Sequence, residues 1–239
     1  MQFRDLAFVP PQMEHRYPSN VHILKDPLAL TLLARACEKG CVQPQANRMI
    51  GELYRALGHY VLAAEFPRTT LSVPTRMIDH TPEGVWQGQA LDAETKTVVV
   101  AVARAGLFPS QVIFDFLNQL LLPAGVRQDH LSLARQTDTR GRVTGAELGS
   151  AKIGGPIGDS YLLIPDPMGA TGSTVSKVLH AYEEGQHGTP RKIIAMHLIV
   201  TPEYLRHVHD QHPNVIVYAL RLDRGLSPKD VLDLLPGER

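Results

Sequence analysis

Tyr161-Leu162-Leu163-Ile164-Pro165-Asp166-Pro167-Met168-Gly169-Ala170-Thr171-Gly172-Ser173-Thr174 runs from four apolar residues through an acid into a loop of small residues. The apolar run predicts a strand. A helix is expected over Ser173–Glu184, with Val175, Val178, Leu179 and Tyr182 on one face and Gly185 closing it. In an open α/β sheet the carboxyl end of a strand is where ligands bind. Small residues there let backbone N–H groups approach a phosphate, at a helix N-terminus whose dipole favours negative charge. The hydroxyls of Thr171, Ser173 and Thr174 add donors, and Lys177 stands one turn into the helix. The stretch lacks the Gly-Lys-Ser/Thr of an ATPase loop and the spacing Gly-x-Gly-x-x-Gly. A plainer reading is a tight strand–helix turn capped by Ser or Thr.

Two charged residues sharpen the phosphate reading. Asp166 stands at the strand end, where a carboxylate meets ribose hydroxyls or a magnesium ion. Upstream, Thr97–Val102 is a second continuous apolar run, the mark of a strand covered on both faces, and Ala103-Arg104-Ala105-Gly106 follows it. A cation beside a small-residue turn suits a pyrophosphate group. Further strands are expected at Leu131–Leu133, Lys192–Val200 and Val215–Tyr218, with helices over Asp115–Leu122 and Glu203–Gln211. Strands alternating with helices imply an α/β fold, a mostly parallel twisted sheet with flanking helices and right-handed crossovers.

The first 25 residues, with Pro10, Pro11 and Pro18, read as an arm. Residues 26–66 read as a helical segment. Asp26 caps a first helix with Pro27 in its first turn and Leu28, Leu32, Leu33 and Ala36 as its apolar positions. A second helix, Gln45–Leu62, carries Met49, Ile50, Leu53, Leu57 and Val61. Preceding the strong strands, these helices are expected to form a cap or an oligomer surface. The α/β core is placed at 97–226, within one domain spanning 1–239. Residues 135–160 are polar and rich in Gly, and read as a flap or mobile arm, with an exposed hairpin of solvated charges as the alternative.

Bulk properties exclude several classes. The 24 basic and 24 acidic residues cancel, so nothing argues for nucleic acid or an anionic membrane. No apolar run approaches the ~18 residues that span a bilayer, and no leader pattern opens the chain, so a cytoplasmic location is expected. The two cysteines, Cys37 and Cys41, have no second ligand pair nearby, and His207 with His209 reads as a solvated helix face.

Asp166–Gly172 resembles the loop of uracil phosphoribosyltransferases that binds phosphoribosyl pyrophosphate (PRPP), whose string Asp-Pro-Met-x-Ala-Thr-Gly is distinctive. Arg104-Ala105-Gly106-Leu107 is similar to the family's pyrophosphate loop, Arg135 to the Arg of its flexible arm, and Lys152 to the arm's returning Lys. His212-Pro213-Asn214-Val215 and Asp223-Arg224-Gly225-Leu226 are similar to two later strings. The resemblance implies a phosphoribosyltransferase-like fold and the transfer of a phosphoribosyl group from PRPP to uracil, giving UMP and pyrophosphate. It implies Asp166 and Arg104 as catalytic candidates. PRPP contacts are implied at Arg104, Arg135 and Asp166–Thr174, including Pro167, Met168, Gly169, Ala170, Thr171, Gly172, Ser173 and Thr174, with Lys152 and Asp223 as further candidates. Mg2+ would be carried by PRPP near Asp166, with no ion held by protein ligands alone. The partners implied are PRPP, a pyrimidine base and a second copy of the chain in a homodimer. The family's closing Tyr-Ile-x-Pro-Gly-x-Gly-Asp-x-Gly-Asp segment, which reads the base edge, has no counterpart in Leu234–Arg239, so base-binding residues stay unassigned. The alternative is a non-catalytic PRPP- or nucleotide-binding regulator on the same fold.

Overall fold

The computed structural model describes residues 7–137, 143–226 and 237. In chain order the elements are β1 (Val21–Ile23), α1 (Pro27–Ala36), α2 (Gln45–Glu65), β2 (Arg68–Pro74), β3 (Val85–Leu91), β4 (Thr97–Ala103) and α3 (Leu107–Leu117). They continue with β5 (Val126–Thr137), β6 (Val143–Lys152), β7 (Tyr161–Pro165), β8 (Met168–Gly169), α4 (Ser173–Glu184), β9 (Lys192–Val200), α5 (Pro202–Gln211) and β10 (Val215–Leu222). The main sheet has the order β1-β10-β9-β7-β4-β5-β6, with β8 pairing β9. All pairings in it are parallel except β5 with β6.

Alternate residues of the central strands feed two apolar layers, as strands buried on both faces require. Val99, Leu163, Ile194 and Met196 meet α1, α2 and α3 on one face. Val98, Val100, Leu162, Ile164 and Ala195 meet α4 and α5 on the other. Leu53, Leu57 and Val61 of α2 and Val178 of α4 are fully buried. The stripes read from sequence on these two helices therefore face the sheet. In α1 the Asp26 carboxylate accepts from the backbone N of Leu28 and of Ala29, at 2.9 and 3.2 Å, as a cap should.

Several expectations shift. The first two helices are neither a separate cap nor a free oligomer surface. Their apolar stripes cover the sheet, and Tyr54 of α2 donates to the carbonyl of Met196. Leu28 is exposed, while Ala29 and Leu33 carry the packing of α1. The expected N-terminal arm contributes β1, whose short run Val21–Ile23 pairs β10 at the sheet edge. The helix expected at Asp115–Leu122 lies earlier, because Gly106 starts it and Pro109 fits its first turn. The strand expected at Leu131–Leu133 is twelve residues long and turns back through β6 as a hairpin, with register shifts at Ser132/Leu133 and Gln136/Thr137. The segment expected as an arm thus has hairpin geometry over its described part, and residues 138–142 lie outside the described residues. β2 and β3 form a separate antiparallel pair with Leu71, Val73 and Trp86 exposed.

The hairpin is rooted by a buried carboxylate. Asp129 is inaccessible to solvent. It accepts from Arg127 Nε at 3.0 Å and Nη2 at 3.2 Å, from the Gly154 N–H at 2.9 Å and from the Tyr182 hydroxyl at 2.7 Å. Arg127 also donates to the carbonyls of Gly155 and Pro156, so one network ties β5, the strand-to-strand connection after β6, and α4. Burial and the Asp129 charge both push the Tyr182 phenol well above its ordinary pKa. Replacing Tyr182 by Phe keeps the packing but removes one donor to a buried anion. The expected cost is about 1.5–3 kcal/mol in urea unfolding, the range for bonds to charged groups.

Candidate active site

β4 and β7 are neighbours, yet the chain leaves β4 toward β5 on one side and β7 toward β9 on the other. That divergence opens a crevice at the carboxyl ends of both strands. A cleft of about 930 Å³ lies there, lined by the Ala103–Gly106 turn, Ser132, Leu133, Asp166, Met168–Val175, His197 and Tyr204. Gly106 is required by close approach, since a Cβ there would sit 2.9 Å from the carbonyl oxygens of Pro165 and Val102. The two loops therefore lie against each other, and Arg104 and Asp166 border one space.

The phosphate-loop candidate is clamped from behind. Leu198 N and Ile199 N donate to the Pro167 carbonyl at 3.1 Å each, and Thr201 N donates to the Gly169 carbonyl at 3.0 Å. Thr201 Oγ1 donates to the Ala170 carbonyl at 2.6 Å. These carbonyls are thus engaged by β9 and the start of α5, which keeps negative oxygens from the cleft. Gly172, at φ +82°, starts α4 with no side-chain cap. The first-turn N–H groups of α4 stay available to an anion. Thr171 Oγ1 and Ser173 Oγ lie 3.0 Å apart at the cleft.

Asp166 is half-buried as a residue, but its carboxyl is largely desolvated. Burial pushes its pKa up to about 6, against the lowering effect of the Met168 N–H bond. Burial, reinforced by the Asp166 charge, raises the phenols of Tyr54 and Tyr204. His197, fully buried on β9, has Nδ1 2.6 Å from the Asp166 carbonyl and Nε2 2.6 Å from the Tyr204 hydroxyl. Burial lowers its pKa to about 4, so it is neutral near pH 7.

The structure brings Arg104, Asp166, Met168, Gly169, Ala170, Thr171, Gly172, Ser173 and Thr174 to this cleft. Pro167 sits in the loop without lining it. Lys152 lines an adjoining cavity of about 190 Å³ that shares Ser132 and Ala103 with the cleft. Asp223 ends β10 with its carboxylate near the Gly225 N–H, away from the cleft lining. The backbone of Arg135 pairs with Ala146, and its side chain lies outside the described residues. His207 is not on a solvated face: its Nε2 is 3.0 Å from Ser176 Oγ, and its ring abuts Gly172. Cys37 and Cys41 are free. Sequence reasoning missed His197, Tyr204 and Thr201. The signal for His197 was a lone polar residue inside Ile193–Val200.

The family model for uracil phosphoribosyltransferase matches residues 23–237. The chain belongs to the uracil phosphoribosyltransferase family. It is thus a pentosyl-transferring enzyme by membership. A uracil phosphoribosyltransferase of Thermosipho africanus is 36% identical over 157 residues, covering 66% of this chain and 68% of that protein. One from Acidovorax ebreus is 27% identical over 220 residues, covering 92% and 94%. In fold, the AQ2163 protein of Aquifex aeolicus superposes with a TM-score of 0.69 at 22% identity, covering 87% of this chain and 90% of that one. An adenine phosphoribosyl transferase from Trypanosoma brucei, solved with AMP, pyrophosphate and ribose-5-phosphate, gives 0.53 at 13% identity, covering 95% and 94%.

The raised Asp166 pKa has a sign for stability. Below about pH 3 the carboxyl is protonated whether folded or not, and no cost arises. Between about pH 4 and pH 6 the unfolded chain is ionised while the folded carboxyl keeps its proton, and the fold loses up to roughly 3 kcal/mol by the time pH passes about 6, at 1.36 kcal/mol per unit. Asp166→Asn should therefore raise stability at pH 7.5 by about 1–3 kcal/mol and give no gain at about pH 3, in paired denaturant titrations. Equal effects at both pH values would show that the carboxyl is not desolvated.

Proposed function

We propose that this enzyme transfers the phosphoribosyl group of PRPP to uracil in the cleft between the Ala103–Gly106 turn and the Asp166–Thr174 loop. The observation that carries the reading is the shared cleft. A left-handed glycine with a free helix N-terminus, a cation and a desolvated carboxylate border the same space. The bond from the ribosyl carbon to pyrophosphate breaks, the bond to N1 of the base forms, and the N1 proton leaves with pyrophosphate or solvent. Positive charge builds on the ribosyl carbon in between, so the catalytic task is positioning and charge stabilisation.

In this assignment the N–H groups and hydroxyls of Gly169–Thr174 hold the 5′-phosphate, and Arg104 takes the pyrophosphate. Asp166 accepts from ribose hydroxyls, which replace part of the solvation that its burial removes. Among the described residues no cluster of three metal-ligating side chains occurs. In this assignment Mg2+ would be carried by PRPP oxygens, with Asp166 the carboxylate that lines the cleft, and would neutralise charge on pyrophosphate. The β5–β6 hairpin is assigned as the arm that settles over PRPP, bringing Lys152, with Arg135 as a second cation. Base-binding residues stay unassigned, and Asp223 has no support from the cleft.

No helix among the described residues is long and apolar enough to cross a membrane. A cytoplasmic metabolic role fits that reading. A homodimer is supported by the exposed Leu71, Val73, Val85 and Trp86 of the β2–β3 pair, rather than by the buried stripes of α1 and α2.

Turnover with PRPP, magnesium and a panel of bases, followed by pyrophosphate release, tests the reaction. Uracil should be the preferred acceptor, and another preferred base would reassign it. Thr171→Ala with Ser173→Ala should weaken PRPP binding by about 1.5–3 kcal/mol, the value of bonds to a charged group, and leave folding nearly intact. Unchanged PRPP affinity in calorimetric titration would remove the loop from the phosphate site.

A further inference from the structure

His197 is the only polar residue in Ile193–Val200, a strand segment that otherwise contributes aliphatic side chains and Met to the sheet. Such a residue persists in a buried strand only with its hydrogen bonds made. Both ring nitrogens are engaged at 2.6 Å, one by the Asp166 carbonyl and one by the Tyr204 hydroxyl. The partners fix the tautomer. A carbonyl oxygen only accepts, so Nδ1 carries the hydrogen, Nε2 is bare, and the Tyr204 hydroxyl must donate.

The pair touches the phosphate loop twice. His197 holds the backbone at Asp166. The Tyr204 ring lies under Gly169, where an added Cβ would approach ring carbons to 2.9–3.0 Å. Tyr204 is itself fixed at the start of α5, its N–H donating to Thr201 Oγ1 at 3.1 Å while that hydroxyl holds the Ala170 carbonyl. Both side chains border the cleft, yet each is only 1% exposed. Little of either is left for substrate.

We infer that His197 and Tyr204 are positioning residues: the Tyr204 hydroxyl, donating to Nε2, holds the imidazole ring so that its Nδ1–H fixes the Asp166 backbone and the aim of its carboxylate at the ribose. The inference rests on the cleft being the PRPP site. Tyr204→Phe keeps the ring under Gly169 and removes only the donated proton. The imidazole keeps its hydrogen on Nδ1, but Nε2 loses its donor and the ring its second anchor, so the ring can turn away from the Asp166 carbonyl. The carbonyl is released, and the carboxylate drifts from its bound position.

A double-mutant cycle separates this from a purely structural hydrogen bond. Tyr204→Phe should lower kcat about tenfold while the PRPP KM moves less than about threefold, because misplacement acts on the transition state. In an Asp166→Asn background, Tyr204→Phe should cost almost nothing more, since the carboxylate it aims is gone. A bond that only stabilises the fold would give losses that multiply. A second pair of variants covers a misfolded Tyr204→Phe. His197→Asn puts an amide N–H where Nδ1–H stands and should keep several times the kcat of His197→Leu. Wild-type kcat in Tyr204→Phe, multiplying losses, or equal activity of His197→Asn and His197→Leu would each overturn the inference. If the wild-type chain turns over no uracil, the substrate assignment fails, and the same cycle is read as the rate of pyrophosphate release from PRPP with the base of the panel that is accepted, or with water as acceptor. There, a wild-type rate in Tyr204→Phe overturns the positioning role, and a wild-type chain that binds no PRPP overturns both.

Discussion

Burial of the sheet on both faces is the constraint on which the rest of the molecule depends. With α1, α2 and α3 on one side and α4 and α5 on the other, the central strands have no solvated face. Polar chemistry is driven to the strand ends. The opposite departures of the chain from β4 and β7 then decide which ends matter, because there no crossover covers the crevice. Arg104 and Asp166, 62 positions apart in sequence, meet there for topological reasons.

The second layer of organisation is the clamp on the loop. A loop that binds phosphate must turn its N–H groups outward, and the same peptide units then send carbonyls inward, where each needs a donor. β9 and the start of α5 provide these donors from Leu198, Ile199, Thr201 and His197. The short β8 pairing is part of the same arrangement. The shape of the loop is thus set partly by residues outside it. Asp166 shows the converse: burial desolvates its carboxyl, and the Met168 N–H bond offsets that only in part.

Much of this was legible beforehand. Continuous apolar runs at Thr97–Val102 and Tyr161–Ile164 mark strands covered on both sides, and the small-residue loop marks the strand end at which the cleft lies. What escaped reading escaped for physical causes. β1 is three residues long and owes its form to pairing with β10, not to its own pattern. β2 and β3 have exposed apolar residues on a two-stranded pair that no period-2 burial organises. The α3 start was obscured by Pro109, which sits comfortably in a first turn but reads as a breaker. His197, Thr201 and Tyr204 act on backbone atoms of a distant loop, and no local spacing encodes that. Asp223 carries a motif-like neighbourhood, and it follows β10 without lining the cleft.

The register shifts of the β5–β6 hairpin bear on how its length can change. Each shift at Ser132/Leu133 and Gln136/Thr137 skips one β6 residue in the backbone register, an offset that breaks the period of two on which a β-ladder runs. The Asp129 network fixes the root, so parity is counted outward from there. Lengthening both strands by two residues each would preserve that parity. A single-residue insertion in either strand, placed between the root and the first shift, would reverse every position beyond it. Across relatives, arms of this build should vary in length by even steps, or by odd steps only where a bulge is gained or lost to restore the count.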